Sequence, residues 1–196
     1  MNKLIQCSDA TYDRVLDLSI PWHSRLFPNV QILRFGPANR IDRRIPYWDK
    51  VYWILKVLRE SQDGDILLYM DCDVLALRTF DFKDVIGDYD FAGVKNINDI
   101  FNTGVLFIRV SSLTKIMFEH MENTGPLPWS PQEGDVINQY TTRLKCKTLS
   151  ANWNYYSMAV NHNRNEAIMI QAWHGAGPEK TYREMDRIIN VPKTAI

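Results

Sequence analysis

Cysteine is scarce in this sequence. The 196 residues hold three, at positions 7, 72 and 146, and no two form a C-x-x-C pair. That argues against a disulfide framework and a thiolate zinc site, and it suits a reducing compartment. An excess of charge of either sign is also lacking: Lys plus Arg and Asp plus Glu both number 23, and the longest basic run is Arg43-Arg44. Without a basic patch the chain lacks the electrostatic footprint of a nucleic-acid binder or of a protein drawn to an anionic membrane surface. No apolar stretch approaches the roughly 20 residues that cross a bilayer, so no transmembrane segment is expected. Met1 to Gln6 reads as a strand and meets Asp9 early, without the apolar centre of a signal peptide. Repeats and low-complexity segments are absent too. A hydrophobic content of 45% and a charged content of 23% remain, ordinary for one globular domain across residues 1–196.

The patterning alternates between two periods. Lys3 to Cys7 and Val30 to Phe35 read as strands, and Ile66 to Met70 and Val105 to Ile108 as continuous apolar runs of the kind buried on both faces of a parallel sheet. Tyr89 to Val94, Cys146 to Leu149 and Ile168 to Trp173 are further strand candidates. Between them, helical spacing predicts helices over Tyr12 to Leu18, Tyr47 to Arg59, Leu113 to Met121 with Ser111 or Ser112 as cap, Gly134 to Leu144, and Pro178 to Ile189. Strands alternating with helices predict an α/β fold on a mostly parallel central sheet flanked by helices. In such folds ligands lie beyond the carboxyl ends of the strands.

Asp71-Cys72-Asp73 stands at such an end, directly after Ile66 to Met70 and before Val74-Leu75-Ala76-Leu77. Two carboxylates one residue apart repel each other unless one is protonated or a cation lies between them. A hard divalent cation resolves the repulsion and takes diphosphate oxygens as its remaining ligands. The plain alternative is a solvated acidic turn.

The stretch Ile66 to Leu75 resembles the metal-binding segment of GT-A-fold glycosyltransferases, nearest to the retaining, glycogenin-like and bacterial galactosyltransferase-like branch. Other segments resemble the same family in the same order. Phe101-Asn102-Thr103-Gly104-Val105 is similar to its Asn-Ala/Thr-Gly-Val entry into a core strand. Gln132-Glu133-Gly134-Asp135-Val136-Ile137-Asn138 is similar to its Asp-Gln-Asp-x-x-Asn stretch, with Glu133 and Gly134 departing from the first two positions. Leu149 to Asn154 resembles its Leu-Pro-x-x-Trp-Asn element. Trp173-His174-Gly175-Ala176-Gly177-Pro178-Glu179-Lys180 looks like its His-x-x-Gly-x-x-Lys-Pro-Trp segment, although Thr181 and Tyr182 stand where Pro-Trp is usual.

The resemblance implies a GT-A domain that binds a UDP-sugar and a saccharide or glycan acceptor, with Mn²⁺ or Mg²⁺ as cofactor. Asp71, Asp73 and His174 would be the metal ligands. Cys7, Ser8, Asp9 and Tyr12 would form the base and ribose loop, although Ser8 or Asp9 as an ordinary helix cap explains that stretch equally simply. Arg44 and Lys50 would face the diphosphate, Cys72, Asn102, Thr103 and Gly104 the donor, and Gly175, Gly177 and Lys180 the phosphates. Glu133 and Asp135 are the candidate catalytic carboxylates. Trp153 is read as core, or as a sugar-stacking ring. The implied reaction transfers a hexose, with glucose as the default, from UDP to an acceptor hydroxyl with retention. The location implied is the cytosol of a bacterium or of a virus-infected cell, unless the chain is one domain of a longer protein.

Three other readings remain. A haloacid-dehalogenase-type phosphatase carries its acidic pair on the first strand, with Thr or Val two residues after the second Asp, where this chain has Leu75. A nucleotidyltransferase has a Gly-rich basic loop after its first strand, where this chain has Cys7-Ser8-Asp9-Ala10-Thr11. A non-catalytic nucleotide-sugar-binding module would have no need of Asp71, Asp73, His174 and Lys180 together.

Overall fold

The computed structural model describes residues 1–37, 48–96, 99–125, 133–156, 166–172 and 177–190. The first described elements are β1 (Lys3–Cys7), α1 (Asp13–Leu26), β2 (Gln31–Phe35), α2 (Asp49–Arg59), β3 (Ile66–Asp71), β4 (Val74–Ala76) and α3 (Phe82–Ile86). There follow β5 (Phe91–Lys95), β6 (Phe101–Arg109), α4 (Ser112–Thr124), α5 (Glu133–Tyr140), β7 (Cys146–Leu149), β8 (Tyr155–Tyr156), β9 (Met169–Gln171) and α6 (Pro178–Asn190).

Six strands form the central sheet in the order β2-β1-β3-β6-β5-β7, and β4, β9 and β8 form a small second sheet. β1 runs parallel to β2 and β3, and β7 runs parallel to β5. β6 alone is reversed, antiparallel to both β3 and β5. The sheet is therefore mostly parallel, as expected from the alternation of strands and helices, although the apolar run Val105 to Ile108 lies in its one reversed strand.

Side-chain alternation along β3 sorts the interior into two layers. Leu67 and Tyr69 face the α2, α4 and α5 side, packed with Val51, Ile54, Leu58, Phe118 and Ile137. Ile66, Leu68 and Met70 face the other way, toward Phe27, Phe82, Ile86 and Met169. A third cluster joins α1 and α6 to the small sheet through Val15, Leu75, Ile170, Met185 and Ile188. Truncating one of these fully buried aliphatics to Ala costs about 2–5 kcal/mol.

Several elements differ from the sequence reading. α1 runs past Leu18 to Leu26 and carries Pro21 inside it. Tertiary bonds hold its last turns: Trp22 Nε1 donates to Ala76 O at 2.7 Å, and His23 is fully buried. The helix expected over Gly134 to Leu144 ends at Tyr140 and tightens into a 3-10 turn over Thr141–Arg143. β4, α3 and β8 have three, five and two residues, too short to show a period. The expected strand end at Trp173 and helix start at Tyr47 lie outside the described residues. α4 is capped by Ser111, whose Oγ accepts from Thr114 N at 3.2 Å.

Candidate functional site

Register brings three strand ends to one edge of the sheet. Cys7, last in β1, pairs with Asp71, last in β3. Because β6 is reversed, its amino end arrives at the same edge: Met70 pairs with Val105, which puts Gly104 beside Asp71. A cleft of about 450 Å³ opens there, lined by Cys7, Ser8, Asp9, Tyr12, Asp49, Lys50, Tyr69, Asp71, Cys72, Asp73 and Gln171.

Asp71 is held on two sides. Lys50 Nζ stands 3.0 Å from its Oδ1, and the Tyr69 hydroxyl donates to the same oxygen at 2.8 Å. Lys50 is buried and also reaches Thr103 Oγ1 at 3.4 Å. Burial, and then the Asp71 charge, pushes the Tyr69 pKa well above its usual value, so the phenol keeps the proton that it donates. Burial likewise raises Cys7 to about 11 and Cys72 well above the ordinary thiol value, so neither presents a thiolate.

On the other side of Asp71 lies Gly104. An added Cβ would stand 3.2 Å from Asp71 Oδ2 and 3.0 Å from Asn102 Oδ1. Asn102 Oδ1 in turn accepts from Gly104 N at 2.8 Å and from Asn154 Nδ2 at 2.9 Å. The buried Asn154 keeps an Oδ1 with no partner among the described residues.

Asp73 is 6% exposed. Gln171 Nε2 donates to both of its oxygens, at 3.3 Å each. Burial first, then the charge of Asp71, pushes its carboxyl up to about 7. Two acids so placed are the condition that a divalent cation relieves.

The turn between them is clamped from below. Gln6 Nε2 donates to Asp71 O at 3.1 Å and to Val74 O at 3.4 Å. Gln6 Oε1 accepts from Ser19 Oγ at 3.2 Å and pairs with His23 Nδ1 at 3.0 Å. His23 Nε2 accepts from Ala76 N at 3.1 Å, which fixes the proton on Nδ1. Burial lowers the pKa of this imidazole to about 3, so it stays neutral. A helix, a strand and the acidic turn thus share one saturated buried network.

The loop after β1 combines both of its readings. Asp9 caps the turn Ala10–Tyr12, accepting from Thr11 N at 2.8 Å, and it lines the cleft as well. Ser8 Oγ donates to Asp13 Oδ1 at 2.8 Å. Further off, Gly177 adopts φ +97 immediately before α6, and Lys180 is exposed in the first turn of that helix. Trp153 packs edge-on against Phe80 and Phe107, the core arrangement. Arg44, His174 and Gly175 lie outside the described residues, as do the side chains of Glu133 and Asp135 on α5. From the same helix, Asn138 Oδ1 accepts from Phe101 N at 3.1 Å and so anchors the start of β6.

Tyr69, Gln171, Gln6 and Asp49 are cleft or clamp residues that the sequence reading passed over. Tyr69 is hidden in an apolar run, Gln171 is the single polar residue of β9, and Gln6 is a polar residue between the apolar Ile5 and Cys7 of β1.

Among the described residues, four carboxylates, Asp9, Asp49, Asp71 and Asp73, and one ammonium, Lys50, line this cleft. Such a lining repels a diphosphate unless a cation stands between. The oxygen donors suit Mn²⁺ or Mg²⁺. Among the described residues no three His, Cys, Asp or Glu side chains converge as a complete metal cluster.

No family model matches the sequence, and no curated protein matches it. Solved structures do match. A glycosyltransferase involved in the glycosylation of the major capsid of PBCV-1 is similar at TM-score 0.73 and 12% identity, over 94% of this chain and 98% of that one. The galactosyltransferase LgtC, solved in complex with donor and acceptor sugar analogues, is similar at TM-score 0.57 and 15% identity over 98% of each chain. GlyE of Streptococcus pneumoniae is similar at 0.65 and 12%, over 98% of this chain and 61% of that one. This chain therefore has the GT-A glycosyltransferase fold. No helix among the described residues is long and apolar enough to cross a membrane.

Proposed function

We infer that the protein is a metal-dependent glycosyltransferase that moves a hexose, with glucose the leading candidate, from UDP to a saccharide hydroxyl with retention. The observation that carries this reading is the pairing of Asp71 and Asp73 in a cleft lined, among the described residues, by four carboxylates and one ammonium at the sheet edge of a GT-A fold. A divalent cation, Mn²⁺ or Mg²⁺, would supply charge neutralisation to the leaving diphosphate. Asp71 and Asp73, with His174, are its candidate holders.

The remaining roles fall to the chain's own groups. Cys7, Ser8, Asp9 and Tyr12 form the wall suited to base and ribose, since they lie at the end of β1 and in the turn after it and line the same cleft as the acidic pair. Lys50 holds Asp71 in the free protein, and its ammonium is the cleft group that would pair with a diphosphate oxygen. Gly104 keeps the space beside Asp71 clear for a sugar ring. In the transfer, the bond from the anomeric carbon to the diphosphate oxygen breaks and a bond to the acceptor oxygen forms. The acceptor proton goes to the departing phosphate or to a carboxylate, for which Glu133 and Asp135 are the candidates. Support for retention comes from the likeness of the Phe101 to Val105 and Glu133 to Asn138 segments to retaining enzymes.

The test is UDP release from a panel of UDP-sugars and GDP-mannose with Mn²⁺, with and without oligosaccharide acceptors, and the product anomer assigned by NMR. Release from a UDP-sugar that falls about 100-fold or more in Asp73→Asn is expected. Absence of turnover with every donor and acceptor contradicts the reading.

A further inference from the structure

We propose that Gln171 is itself a ligand of the divalent cation, through its carbonyl oxygen Oε1, beside Asp71 and Asp73. The proposal rests on the metal-dependent reading above and adds a ligand to it.

Gln171 is the last residue of β9, opposite Val74 in the pairing with β4, so the small sheet delivers it to the acidic turn. Its neighbours Met169 and Ile170 are fully buried apolar residues. Gln171 is nearly as deep, 7% exposed, and lines the cleft. A polar side chain at such depth has to find partners for both ends of its amide. Only one end has done so. Nε2 lies 3.3 Å from each Asp73 oxygen, while Oε1 is buried with no partner among the described residues.

The equal distances carry the inference. An atom equidistant from both oxygens of a carboxylate lies in the plane that bisects it, the plane that a cation held by both oxygens would share. Without a cation, the amide N–H faces that carboxylate. With one, an N–H cannot face the positive charge, whereas a glutamine carbonyl is a recognised hard-cation ligand. Rotation by about 180° about the terminal torsion, which is broad and roughly two-fold, exchanges Nε2 for Oε1. The orphaned oxygen then meets the cation, and no new polar atom needs to enter the site. As a neutral ligand, Gln171 adds coordination without a further negative charge to a cleft that already holds four carboxylates.

Mn²⁺ binding, followed by electron paramagnetic resonance and by calorimetry in the presence of UDP, separates the roles. Wild type, Asp73→Asn, Gln171→Met and Gln171→Glu are compared, with folding checked by circular dichroism. Gln171→Met, close in volume but without an oxygen, should weaken Mn²⁺ binding at least about tenfold. Gln171→Glu, which keeps an oxygen ligand but loses the amide N–H, should match wild type or bind tighter. Equal weakening in both variants would mean that Gln171 only orients Asp73 through its N–H, and the proposal falls. No change in either also overturns it. Should Gln171→Met not fold, Gln171→Glu decides, since weakened binding there contradicts a ligand role. If wild type binds no Mn²⁺, or Asp73→Asn binds as well as wild type, the metal-dependent reading itself fails, a result distinct from any pattern at Gln171.

Discussion

Gly104 sits so close to Asp71 that a methyl group at residue 104 would stand 3.2 Å from Asp71 Oδ2 and 3.0 Å from Asn102 Oδ1. Overpacking of this kind costs about 1–3 kcal/mol and displaces whichever neighbour can give. Gly104→Ala is therefore expected to fold, with a melting point lower by several degrees, and to lose at least about tenfold in turnover through the displaced carboxylate. Full activity in the variant would show that Asp71 has no need of its present position.

Lys50 and Asp71 form a partly buried ion pair, with side chains 7% and 27% exposed. Among the described residues, Lys50→Met leaves the carboxylate with the Tyr69 hydroxyl as its one hydrogen-bond donor. Breaking a fully buried pair costs about 3–5 kcal/mol, and the partial exposure of Asp71 reduces that to about 1–3 kcal/mol. Thermal denaturation should register the loss. With its competitor removed, Asp71 should bind free Mn²⁺ more tightly, while UDP binding weakens through the missing ammonium. Stronger binding of both, or weaker binding of both, would contradict the dual role.

His23 ties the clamp to acid stability. Its pKa falls from the ordinary 6.5 to about 3 because burial disfavours the charged ring. Between those values the unfolded chain takes up a proton that the folded one refuses, so this contribution is complete above pH 6.5 and lost as pH falls toward 3. His23→Gln should be less stable than wild type at pH 7, and the gap between them should narrow as pH falls to 4. A gap that stays constant across that window would mean that His23 does not titrate as described.

Asn138, on α5, predicts a structural effect at the start of β6. Removing Oδ1 leaves the Phe101 N–H unsatisfied at the entry of β6, at about 1–3 kcal/mol. Asn138→Ala should lose that stability, and Asn138→Asp, which keeps an acceptor, should retain most of it in chemical denaturation.

The sequence makes the sheet and the acidic turn legible for one physical reason: Ile66 to Met70 has to be buried on both faces, and the polar residues that follow it have to leave the core. Asp71 and Asp73 are readable on that ground alone. The segment Asn102 to Gly104 is another matter. It lies in the amino-terminal part of β6, so the rule of carboxyl ends points away from it, and only the reversal of β6 carries it to the same edge. Periodicity does not reveal that reversal. Gln171 and Gln6 also escape a reading based on motifs. Each is an uncharged polar residue beside apolar strand neighbours, and its meaning depends on which backbone or carboxylate lies across the fold. α1 beyond Leu18 was hidden by Pro21, a helix breaker that tertiary bonds from Trp22 and His23 outweigh.

The central claim is that Asp71 and Asp73 hold a divalent cation that makes this cleft a diphosphate site. Calorimetric titration of UDP into the protein, with Mn²⁺ and again with EDTA, tests it most directly. The account predicts binding that appears only with Mn²⁺ and disappears in Asp73→Asn. UDP binding of equal strength in EDTA, or none under either condition, would contradict it and leave Asp71 and Asp73 as a buried acidic turn.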